Sequence, residues 1–152
     1  MRPKIFYLLP LLSCLILMEI GCVSNTPIIA QPNNTPEGTF TGKFQFSHLH
    51  SKTGVVDTLS ANLILTMELK TGFAVTGDTS TLHAGSYGSY AVNSSYTEIQ
   101  FNDKTYPASG VPVKDHLNGI YNYVYDGTNL QISAYGAFDT LAYIYTMKRT
   151  GN

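Results

Sequence analysis

Histidines carry most of the chemistry that this chain could do. His48 and His50 are spaced so that on a β-strand both imidazoles leave one face, which is compatible with holding a single metal ion. His83 lies beyond the third expected strand, His116 ends the long loop after the fifth, and Asp57, Asp78, Asp103 and Asp115 belong to the same end. If the strands run up and down, all of these groups ring one end, where the alternative to a metal site is an ordinary solvated rim. Ala84-Gly85-Ser86-Tyr87-Gly88 looks like a variant nucleophile elbow, but that elbow needs a helix after the serine and Tyr87 to Val92 reads as a strand. Gly38 to Lys43 imitates a phosphate loop without its spacing and without a Ser or Thr after the lysine. With no His-Glu-x-x-His and no carboxylate pair on a definable face, the expectation is a protein that is not an enzyme and uses no cofactor.

Composition narrows what must position these residues. The 152 residues are 43% hydrophobic and 12% charged with a net charge of −1, which fits one small globular domain. Nine Lys+Arg against ten Asp+Glu, with no basic run, supply no surface for neutralising phosphates, so nucleic acid is set aside as a partner. Eleven tyrosines, thirteen glycines and no tryptophan, with many Ser and Thr, favour strands and turns.

Arg2 and Lys4 precede an apolar run from Ile5 to Met18, the charged-then-apolar layout of a secretory signal. The run stops at Glu19, short of the roughly 20 apolar residues that a spanning helix needs. Gly21-Cys22 resembles the cleavage box of bacterial lipoproteins, although Glu19 departs from it. Leu11-Leu12-Ser13-Cys14 fits the box by letter but leaves too short an apolar core. The resemblance implies a signal peptide over residues 1–21, lipidation at Cys22, and a location in the bacterial cell envelope, with the membrane met only through the lipid. Residues 22–37 then read as a Pro-rich tether that reaches roughly 45 Å when extended.

From Gly38 to Arg149 the pattern alternates with period two in short runs bounded by turn residues. Strands are expected near 38–50, 55–69, 73–77, 82–93, 96–102, 117–125, 128–135 and 140–149, followed by a tail at 150–152. Asp126-Gly127 suits a two-residue hairpin that sets Tyr123 opposite Leu130, and a four-residue loop would keep the same faces. Lys70-Thr71-Gly72 suits a three-residue turn that leaves Leu69, Met67, Phe73 and Val75 on one face, and Ser94-Ser95 aligns Tyr90 with Ile99. The fold class is therefore all-β, an eight-stranded antiparallel up-and-down barrel over residues 38–149.

Gly38-Thr39-Phe40 near the first strand and Arg149 at the end of the last resemble the Gly-x-Trp start and terminal arginine of lipocalins. Small bacterial lipoproteins with lipocalin-like domains look closest, through Gly119-x-Tyr121-x-Tyr123 and Asp126-Gly127-x-Asn129-Leu130. The resemblance implies barrel closure by Gly38, Phe40 and Arg149, with Arg149 over the Phe40 ring. It also implies a cup that binds a small, largely apolar ligand. Tyr121, Tyr123, Tyr143, Tyr145 and Phe44 would line that cup, and the loop from Asp103 to His116 would close over it with Tyr106, Val111 and Val113. A barrel of this size can equally be filled by its own side chains. It would then serve as a structural or protein-interaction module of the envelope.

Overall fold

The computed structural model describes residues 35–136 and 140–151; the signal segment, Cys22 and the tether up to residue 34 lie outside the described residues. Strands follow one another as β1 (Gly38–His50), β2 (Val55–Glu68), β3 (Gly72–Gly77), β4 (Tyr87–Val92), β5 (Glu98–Asp103), β6 (Gly119–Tyr125), β7 (Asn129–Tyr135) and β8 (Leu141–Gly151). Each pairs antiparallel with the next, and β8 returns to β1, so the chain is a closed eight-stranded up-and-down barrel. No helix occurs among the described residues.

Period-two patterning explains why these segments are strands. On β1, Phe40 and Phe44 face inward and are fully buried, whereas Lys43 between them is exposed. Their cross-strand partners Leu65 and Ala61 on β2, and Tyr145 opposite Phe44 on β8, face the same way. Met67, Ile99, Leu117 and Ile132 complete an interior with no exposed surface. Each large apolar side chain buried this way contributes about 1.5–3 kcal/mol.

The turns keep the expected faces but change the registers. Tyr125, not Tyr123, opposes Leu130, because the Asp126 carboxylate accepts the Thr128 and Asn129 amides at 2.8 and 2.6 Å and winds a four-residue loop. Asn93 acts alike: its Oδ1 accepts the Thr97 and Glu98 amides, so Val92 rather than Tyr90 opposes Ile99. At the third turn Glu68 pairs with Gly72, whose φ of +99° glycine tolerates, and Leu69 is left in the loop at 58% exposure. Leu69 is thus not on the inner face.

Residues 82–86 are not part of β4. The wall ends where the Asp78 amide donates to the Asn62 carbonyl, and the chain crosses back until the Val75 amide meets the Ser86 carbonyl. Between them, His83 forms a parallel bridge with Asp115. At the opposite end, Gly38 (φ +111°), Phe40 and Arg149 come together, with Phe40 and Arg149 as cross-strand partners. The Arg149 guanidinium lies against Gly38, where an added Cβ would come 2.8 Å from Nε, and the Phe40 ring meets Tyr125 edge-on at 5.7 Å. The arginine thus packs against Gly38 beside its cross-strand partner Phe40.

Candidate functional site

The end of the barrel away from Phe40 gathers all the histidines, but in different environments. His48 and His50 end β1 as expected, with ring centroids 4.4 Å apart. His50 Nε2 is already engaged by the Asp57 carboxylate at 2.7 Å. No group of three or more metal-ligating side chains converges among the described residues. His83, read from sequence as a rim residue, is instead fully buried.

His83 is brought inside by the crossing segment 78–86. Its ring packs edge-on against Phe44 at 4.9 Å and Tyr145 at 5.7 Å. The Ala84 carbonyl can only accept, so Nδ1 carries the proton and donates to it, leaving Nε2 to accept the Tyr145 hydroxyl at 2.9 Å. Both partners fit the neutral imidazole. Burial accordingly lowers the His83 pKa to about 4, against a partial rise from the Ala84 bond.

The neighbouring loop is pinned at its base. Asp103, its side chain wholly buried, accepts His116 Nδ1 at 2.7 Å and the Thr105 amide and hydroxyl at 2.7 Å each. Burial pushes this carboxyl up, but the bonds from Thr105, His116 and Ser86 together hold it below its ordinary value. Ser86 is 1% exposed, and its Oγ also accepts the Leu117 amide, so it serves this network and does not face a substrate. Lys114 Nζ donates to the Thr79 carbonyl at 2.8 Å, tying the loop to the crossing segment. Above this base Val111 and Val113 are 91% and 100% exposed. They point to solvent, whereas Tyr106, the third apolar group expected to close the mouth, rests edge-on against His116 at 5.4 Å.

The expected cup residues are divided. Tyr121, Tyr123, Tyr145 and Phe44 are buried among one another, with Phe44 and Tyr121 at 4.7 and 6.1 Å from the Tyr145 ring. A space large enough for one water would leave part of its wall exposed, and Phe44 and Tyr145 are at 0% and 1%. Tyr121 donates weakly to the His116 and Asn118 carbonyls, and burial pushes its phenol up to about 12. The Tyr123 hydroxyl is buried with no partner among the described residues. Tyr143 differs: it is half-buried at the mouth, its ring 5.2 Å from Phe46. A concavity of about 1160 Å³ lies on the outer wall, where Thr41, Lys43, Gln45, Asn62 and Lys148 line it.

The chain matches no family model, no curated protein and no solved structure. Its closed eight-stranded barrel is consistent with a lipocalin-like fold, and that likeness is one of architecture. Sequence reasoning missed His83 and the Asp103 network. The available signal was Leu82-His83-Ala84-Gly85, where a small-residue pair interrupts the alternation that a strand requires.

Proposed function

We propose that this chain is a non-catalytic lipoprotein of the bacterial cell envelope, anchored through Cys22, whose filled barrel presents its mouth segments to a protein partner. The observation that carries this reading is His83. A side chain from a mouth segment, with no exposed surface, sits against Phe44 and Tyr145 where a deep ligand cup would open. What the mouth offers outward is the loop with exposed Val111 and Val113, held at its base by the Asp103–His116 pair. Loops held on a rigid scaffold are where binding groups are usually carried, and these valines give this loop apolar groups free for contact. Gly21-Cys22 after the apolar run supports the anchor.

A second reading, binding of a small, largely apolar ligand, is favoured by the half-buried Phe46–Tyr143 pair, with Leu59 57% exposed opposite Phe46. The ligand would then rest on the rim and not in the core. One experiment separates the two. Protein extracted from its membrane in mild detergent should release no stoichiometric small molecule on denaturation, and a photo-crosslinker at Val113 should capture one discrete envelope protein. A molecule recovered at one equivalent from the native protein and lost from Tyr143→Ala would replace the scaffold reading with the second.

A further inference from the structure

Closing a sheet into a barrel removes its edges, but along β2 the closure is incomplete. β1 and β2 pair without a bulge from Gly38↔Met67 to His50↔Val55, whereas β3 covers only Leu63 to Glu68 of β2. Among the described residues, 55–61 therefore have a strand neighbour on one side alone. Because the Asn62 carbonyl points toward the β3 side, where it accepts the Asp78 amide, the backbone groups of Ser60, Thr58 and Val56 point that way too. No described residue bonds them there. Residues 55–60 are also exposed on both faces, with Val55, Val56 and Leu59 at 53%, 56% and 57%.

Edges in monomeric proteins are blunted by lysine, proline, bulges or cover. Val55-Val56-Asp57-Thr58-Leu59-Ser60-Ala61-Asn62 has no lysine, proline or bulge and no cover from a described residue, and Asp57 is its one charge. We infer that this edge pairs antiparallel with the same edge of a second copy of the chain, across a two-fold axis near Thr58.

Three features favour a second copy over an unrelated strand. An antiparallel pairing of a strand with itself satisfies two-fold symmetry by construction, so both free edges are consumed and the assembly stops at a dimer. Asp57 is the lone charge in the stretch, bonded to His50 of its own chain at 2.7 Å, so each copy brings a single carboxylate to the seam. A register centred on Thr58 also sets Asp57 opposite Leu59 and not opposite its own copy, while Thr58 faces Thr58 and Val56 faces Ser60, pairings that suit adjacent strands. This inference is independent of the partner proposed for the mouth loop.

The test is sedimentation of the detergent-solubilised full chain across a concentration series to about 100 μM. The wild type should show reversible monomer–dimer behaviour. Thr58→Pro removes an amide that bonds no described residue, a change that edge strands tolerate, and should weaken self-association at least about tenfold. Val56→Lys should do the same with an unchanged melting temperature, and it decides the matter if the proline variant does not fold. A wild type that stays monomeric throughout, or a dimer that Val56→Lys leaves intact, overturns the inference.

Discussion

The Tyr145 hydroxyl and the His83 ring meet 2.9 Å apart across 62 residues of sequence, at a point closed to water. The bond ties the barrel wall to the segment that crosses its mouth, alongside the Val75–Ser86 backbone bond, and burial of the ring favours the neutral imidazole.

Acid should therefore loosen the protein through His83. Its folded pKa of about 4 lies below the ordinary 6.5, so between those values the unfolded chain binds the extra proton and stability falls as pH falls. The full contribution is about 3 kcal/mol, present above pH ~6.5 and lost by pH ~4. Denaturant titrations at pH 7 and pH 4.5 should show this loss in the wild type and a smaller one in His83→Phe.

Asp103→Asn should destabilise the fold by about 3 kcal/mol, since it leaves His116 and both Thr105 donors facing a weaker acceptor in a buried place. Hydrogen exchange should accelerate first in residues 104–116, ahead of β1 and β8. Equal acceleration everywhere would argue that the pair braces the whole barrel and not the loop.

Paired phenol deletions should act in opposite directions. Tyr123→Phe removes a buried hydroxyl with no partner among the described residues and is expected to be neutral or to stabilise by up to about 1 kcal/mol. Tyr145→Phe orphans His83 Nε2 and should cost about 1–3 kcal/mol. Thermal melts of the two single variants check the signs.

Gly38→Ala is expected to cost at least about 2 kcal/mol. Its φ of +111° disfavours any side chain, and the new Cβ would press on the Gly151 carbonyl at 2.6 Å and Arg149 Nε at 2.8 Å. If the arginine is the main obstacle, Arg149→Ala should recover part of that loss in the double variant, as a double-mutant cycle would measure.

The barrel was legible in the sequence because period-two alternation runs cleanly through strands such as β5, β6 and the second half of β2, and because Gly72 and Asp126-Gly127 mark turns whatever their length. Registers were less legible: the Asn93 and Asp126 side chains each bond two amides and absorb extra residues into their loops. The interior of the mouth was not legible at all. Whether His83 points out or in depends on the vacancy beside Phe44, and whether Val113 covers or protrudes depends on Lys114 reaching Thr79, both settled by residues distant in the chain.

The seam between the first and last strands has a consequence for timing. β1 meets β8 through partners such as Thr39 and Thr150, 111 positions apart, while every other pairing joins consecutive strands. Seven strands can assemble as local hairpins while the chain is still being made, but the ring cannot shut until its last segment arrives. Until then the inward row of Phe40, Phe44 and Phe46 lies open on an unpaired flank, so the interval before closure is when this chain is most exposed to aggregation.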